Sequence, residues 1–323
     1  MRPRSLAAGL LLGALWPAAS WCEPPPQLAT WGTEGGAAGE FRQPLALALD
    51  GGGKVYVADT ENHRIQVFTT GGDYLAGWGV YGSGSGEFKR PFGVAVGAGG
   101  QIYVTDSNNH RVQAFASDGT CLFQWGGYGD AAGRFSLPHG VAPDDGGNLY
   151  VTDSFNHRVQ VFTGAGTYLT QWGSYGQAPG ELARPAGVAV GRDGTIFVAD
   201  SENHRIQVFT ANGVHVAQWG GAGNAPGQFN NPSGVAIDDD GSVYVADTWN
   251  HRIQVFTSDG VYLMHWGAYG DTAGRFNSPF GVAVDEVGQV YVADTGNSRI
   301  QVFGRPAVAT QAVSWGRVKA AWR

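Results

Sequence analysis

Two cysteines, Cys22 and Cys121, are all that 323 residues contain, too few for a disulfide framework or a thiolate metal site. Cys121 sits in the apolar stretch TCLFQWG and is expected to be a buried small hydrophobe. Charge is scarce too: Asp, Glu, Lys and Arg make up 15% of the chain, and the formal net charge is −7. Phosphate backbones are gripped by clustered lysine and arginine. The one such cluster is the closing GRVKAAWR, with Arg317, Lys319 and Arg323, so no nucleic-acid partner is expected. Long apolar runs are missing, and no membrane span is expected.

The first twenty-two residues read differently from the rest. Arg2 and Arg4 precede a short apolar run (6–16), and the small residues Ala18, Ala19 and Ser20 follow. That order is a secretory signal, with an apolar region too short to span a bilayer. The bulky Trp21 before Cys22 argues against a lipid anchor there. The expectation is a signal segment over 1–22 and export to a periplasmic or extracellular space. A globular unit is expected over 23–303, and a tail or alternative closing strand over 304–323.

What the chain has in excess is glycine, 52 residues, against an average usage of about 7%. There is no Gly-X-Y period, which removes collagen. Glycine beside abundant Val, Tyr, Trp and Phe points to short strands joined by tight turns. The strands repeat. VADTENHRIQVF starts at Val57, and close copies start at Val104, Val151, Val198, Val245 and Val292, always 47 residues apart. A proline keeps the same beat from Pro44 to Pro279, and a Trp-Gly pair from Trp31 to Trp266. In the fifth unit HVAQWG, SGVAID, VYVADT and RIQVF read as four strands. The turns between them carry Gly, Asp and Asn. VYVA is apolar at every position, as in a sheet covered on both faces. Six units of four short strands are the signature of an all-β, six-bladed β-propeller with four-stranded antiparallel blades. LATWG near the N-terminus is expected to complete the last blade and close the ring. QAVSWG (311–316) competes for that place, but its Trp315 falls off the 47-residue beat.

The motif D-[TS]-x-N-H-R-[IV]-Q-V-F, with upstream P-x-G-V-A-V-D and downstream W-G, resembles the NHL repeat. The resemblance implies a six-bladed propeller but no single activity, because fold alone does not fix function. Peptidyl-hydroxyglycine amidating lyases resemble this fold and hold zinc through histidines after prolines in several blades. Here only His139, after Pro138, stands in that place. The equivalent residues are Leu45, Phe92, Ala186, Ser233 and Phe280, and a zinc site needs three protein ligands. Calcium-dependent lactonases use acidic channel residues; DDDG (238–241) and Asp144-Asp145 fall instead where Asp-Gly is ordinary turn chemistry. No metal, cofactor or catalytic residue is therefore assigned.

Asp, Asn and Arg recur in all six units and His in five, as a structural device would and a single active site would not. The aspartate is expected to accept N–H bonds in the turn that follows it, and the arginine to pair with a carboxylate or carbonyls. Ser298 replaces the histidine in the last unit, which marks histidine as dispensable to a blade. Function is then expected where the units differ. Phe155 and Trp249 place large aromatics at a hairpin tip, as interface anchors do. Phe92, His139 and Phe280 follow the repeated proline near the axial channel, and Arg90 and Arg184 precede it. The expected function is an exported, non-enzymatic binding or sensor module that takes a protein or peptide, or a small anionic ligand, on its loop face. The alternative is a metal-dependent lyase or lactonase with its site in the axial channel.

Overall fold

The computed structural model describes residues 24–306; the expected signal segment (1–22) and the competing strand QAVSWG (311–316) lie outside them. Twenty-four strands, β1 to β24 in chain order, form six four-stranded antiparallel sheets. The first blade is β2 (Pro44–Leu49), β3 (Lys54–Asp59), β4 (Arg64–Thr69) and β5 (Tyr74–Trp78). The Pro-led strand is innermost and lines a central channel with its counterparts from the other blades. The last blade takes β22 (Val282–Val284), β23 (Val290–Asp294) and β24 (Arg299–Phe303) from the C-terminal side, and its outer strand is β1 (Gln27–Trp31). Trp31 pairs with Ile300 and Thr30 with Gln301, so the N-terminal strand closes the ring, as expected.

Apolar side chains on both faces of each sheet explain the unbroken hydrophobic runs. Tyr56, Ala58, Ile65 and Val67 of the first blade pack on Val94, Ile102, Val104 and Phe115 of the second. Across the closure, Tyr291, Ala293, Ile300 and Val302 meet Leu47, Val55, Val57 and Phe68. Each buried Val, Leu, Ile or Phe among them contributes about 1.5–3 kcal/mol, so neighbouring blades stabilise each other. Close to the axis the strands approach too tightly for side chains. A Cβ on Gly93 would lie 2.3 Å from the His139 carbonyl oxygen, and one on Gly187 2.4 Å from that of Ser233. Cys121 is half-buried rather than enclosed, and accepts a hydrogen bond from Ser85 Oγ at 3.1 Å.

The repeated Asp, Asn, Arg and Gln wire the long loop that enters each blade. In the fifth, Asp247 is 0% exposed. Its Oδ1 accepts the Asn230 N–H at 2.7 Å, and its Oδ2 accepts Arg252 Nε at 2.7 Å, Asn250 Nδ2 at 2.9 Å and Gln254 Nε2 at 3.0 Å. Arg252 then donates to the carbonyls of Asn224, Ala225 and Gln228. The backbone N–H that the carboxylate accepts thus comes from the loop preceding its blade, and it holds the 3₁₀ turn Thr248–Asn250 through the Asn250 side chain. The pairing of the arginine with a carboxylate and with carbonyls is as expected.

The histidine does more than fill the turn. It ends that turn in the left-handed conformation (His251, φ 55), which histidine tolerates better than most residues. Its Nδ1 accepts a backbone N–H from the next blade: His63 from Arg90, His110 from Leu137, His157 from Arg184, His204 from Asn231 and His251 from Ser278. These five bonds staple successive blades. Ser298 keeps the left-handed turn (φ 53) but has no ring to offer, so the joint between the sixth and first blades lacks its staple.

Candidate functional site

The residues whose N–H groups donate those staples stand in a tight ring together with Gln43. Gln43, Arg90, Leu137, Arg184, Asn231 and Ser278 all have positive φ, between 48° and 56°, and each precedes a proline. Both conditions oppose that backbone state, so the rim of the channel is held in shape by its neighbours. One residue past each proline, a side chain turns toward the axis. Phe92 and His139 lie flat on each other, with centroids 3.9 Å apart and planes within 2°. Phe280 meets Phe92 edge-on at 5.0 Å. Phe92 belongs to the second blade and Phe280 to the sixth, so the contact spans the mouth. The three expected residues do come together, and they plug the channel.

Beneath the plug is a cavity of about 110 Å³ lined by Leu45, Leu47, Val94, Val141, Val188 and neighbouring glycines. No carboxylate lines it, and the post-proline ring offers one imidazole and one hydroxyl, that of Ser233. Those donors do not fit a zinc or a calcium ion, which need several nitrogen or oxygen ligands converging on one point.

His139 is unusual within this ring. Burial, reinforced by the nearby charges of Arg184 and Arg90, lowers its pKa to about 3, so the imidazole is neutral at physiological pH. Its Nδ1 is enclosed with no hydrogen-bond partner, and so is Ser154 Oγ.

The two arginines are paired. Arg90 Nη2 pairs with Glu61 at 2.9 Å and Arg184 Nη1 with Glu202 at 2.9 Å. Arg184 also lies 3.9 Å over the ring of Phe155, a cation–π contact that roofs this aromatic. Phe155 is consequently 39% exposed, whereas Trp249 is 59% exposed and has no aromatic partner among the described residues.

A feature of the repeats themselves went unread as function. Tyr81, Tyr128, Tyr175 and Tyr269 are 65–76% exposed on the loops of the same face. Each meets the edge of a staple histidine at about 5 Å, as Tyr128 does His110 and Tyr269 does His251. The signal in the sequence was a Tyr-Gly pair three residues past four of the six repeated tryptophans, Trp78, Trp125, Trp172 and Trp266. Its exposure makes it surface.

The NHL repeat family model matches residues 41–68, 88–115, 135–162, 182–209, 229–256 and 276–303, one segment in every blade. No curated protein matches the sequence. Among solved structures, a virginiamycin B lyase from Staphylococcus aureus superposes with a TM-score of 0.59 at 17% identity, over 83% of this chain and 81% of that one. A gluconolactonase from Xanthomonas campestris gives 0.63 at 14% identity, over 89% and 99%. A structural-genomics protein from Bacteroides thetaiotaomicron gives 0.65 at 17% identity, over 88% and 83%. At such identities the likeness is one of fold.

Proposed function

Since this chain belongs to the NHL-repeat family, with the repeat in every blade, we propose that it is an exported, non-enzymatic binding module that takes a protein or peptide on its loop face. The observation that carries this reading is the aromatic crown there. Trp249 (59% exposed) stands on the turn that ends at His251, and Tyr269 (65%) packs on that same histidine. Tyr81, Tyr128 and Tyr175 continue the crown. Large aromatics left in water on a rigid scaffold serve as anchors for a partner, and loops held by a stiff frame are where recognition is built. The order of basic, apolar and small residues over 1–22 supports export.

A metal-dependent lyase or lactonase in the channel draws support from the fold of its neighbours alone. The residues around the axis supply neither the ligands nor an acid–base pair for that chemistry.

The test is capture of partners from an exported fraction by the intact protein and by a Trp249→Ala/Tyr269→Ala double variant. Exposed substitutions of this kind change stability by roughly 0.5 kcal/mol or less, so folding is preserved and can be verified by circular dichroism. Capture should fall at least tenfold. Equal capture by both forms removes the proposed face.

A further inference from the structure

The outer slot of the sixth blade is filled by β1, and each residue of that strand shows what the slot demands. Gln27 donates from Nε2 to Gln301 Oε1 at 2.8 Å. Leu28 is the extra residue of a bulge between the Gln27–Phe303 and Ala29–Val302 pairs and is 52% exposed, so little is asked of it. Ala29 packs among the apolar side chains of the closure, and Thr30 is exposed opposite Gln301. Trp31 lies against the turn of the first blade, where a Cβ on Gly72 would come within 2.8 Å of its ring. Gly32 has φ 94, and a Cβ there would lie 2.4 Å from the Phe41 ring.

A second stretch of the chain meets these demands in the same order. QAVSWG, outside the described residues, sets Gln311, Ala312, Val313, Ser314, Trp315 and Gly316 against QLATWG of 27–32. The match is to this slot and not to outer strands in general. The others begin with Tyr74, Cys121, Tyr168, His215 and Tyr262, and none of them has a hydroxyl residue before its tryptophan.

The stretch also starts in the right place. The chain leaves β24 at the entrance of the slot, where the Gly304 N–H donates to the Pro26 carbonyl at 2.8 Å. In the first blade, residues 69–73 link Phe68 to its partner Tyr74. Residues 304–310 would link Phe303 to Gln311, a loop two residues longer, and such lengthening costs little closure entropy. The joint concerned is the one without a histidine staple, and its inner strand, β22, has only three residues.

We propose that the ring has two interchangeable closing strands: residues 311–315 of the same chain occupy the slot on β24 whenever β1 leaves it. The exchange trades a pairing drawn across the whole ring for a local hairpin, the kind of contact that forms fastest. Each outer strand ends at the loop that enters the next blade. Residues beyond Gly316, among them Arg317, Lys319 and Arg323, therefore follow onto the loop face when the second strand is in place. The exchange is independent of what that face binds.

The experiment compares Trp31→Ala, Trp315→Ala, the double variant and Trp78→Ala in the full chain, by thermal unfolding and by hydrogen exchange read with mass spectrometry. Trp78 lies against Gly119 as Trp31 does against Gly72, in a blade with no spare strand. Trp78→Ala and the double variant should each lower Tm by at least about 5 °C. Trp31→Ala should lose less than half as much, and Trp315→Ala nothing. Protection should lie on 27–31 in the unaltered chain and move to 311–315 in Trp31→Ala. Equal losses in Trp31→Ala and the double variant, or no protection of 311–315 in Trp31→Ala, overturn the proposal. So does a Trp31→Ala chain that fails to fold where Trp78→Ala folds. Trp31→Phe, Trp78→Phe and Trp31→Phe/Trp315→Phe leave smaller cavities and give the same ordering if the alanine variants all fail to fold. Protection of 311–315 that appears only with dimers at high concentration, by size-exclusion chromatography, places the strand in a second copy and overturns exchange within one chain.

Discussion

A histidine whose Nδ1 accepts a backbone N–H has to be neutral to hold it. Burial lowers the pKa of His110, His157 and His251 below the ordinary value of 6.5, while the unfolded chain titrates near that value. Protonation therefore favours unfolding. The stability from these groups is complete above about pH 6.5 and is lost as pH falls from there toward their lower folded values. Buried Asp106 and Asp153 pull the other way, since burial raises their carboxyls, so the raw pH profile mixes both signs. A variant isolates the histidine: His110→Ala should cost about 1 kcal/mol at pH 7.5 and much less at pH 5, measured by urea unfolding at both. A cost that does not shrink at pH 5 means the staple is not the source. Sequence alone placed this residue in a turn, and its absence at Ser298 marked it as expendable. The staple was hidden because its partner is a backbone N–H of the next blade, which leaves no pattern in residue types. The pairing of Arg90 with Glu61 and of Arg184 with Glu202 was hidden for a related reason. The two partners lie on opposite sides of their arginines along the chain, so only the fold relates them.

At the level of one blade the sequence was almost fully legible. Strand order and the four-strand unit all followed from the 47-residue beat and the apolar runs. What it did not show is how the long Gly-rich loop, polar and irregular, keeps one shape. The buried Asp–Arg pair answers that, and its strength follows from its burial: the Arg252 side chain is 7% exposed and that of Asp247 is 0%. Removing one member leaves the other charge uncompensated, a loss of about 3–5 kcal/mol. Asp247→Ala should therefore lose that amount in urea unfolding and free the loop 221–231, seen as faster amide exchange there. Arg90→Gln, which breaks a half-exposed pair of the kind worth about 0–1 kcal/mol, should lose far less. Comparable losses would mean that exposure does not rank these pairs. The contrast separates scaffold charges from rim charges, a distinction the sequence drew correctly through repetition.

Across the whole ring, five joints carry a histidine staple and the sixth does not. That joint is also where the chain closes on itself, with β1 held to β24 and an inner strand, β22, of only three residues. The apolar contacts there match those of the other joints, and Thr295 still bridges to Pro44. The deficit is thus one hydrogen bond, and it can be restored. Gln43 already has the left-handed backbone of the positions whose N–H donates in the other joints (φ 51), and Ser298 that of the histidines (φ 53). Ser298→His should add the missing bond without rearrangement and raise stability by about 1 kcal/mol, or about 2 °C in Tm for a domain of this size, by calorimetry at pH 7.5. The gain should shrink at pH 5, where the imidazole of the unfolded chain is protonated and forming the bond costs that proton. No gain at either pH would show that the joint is limited by strand pairing to β1 and not by the staple. A gain equal at both would assign it to packing of the imidazole.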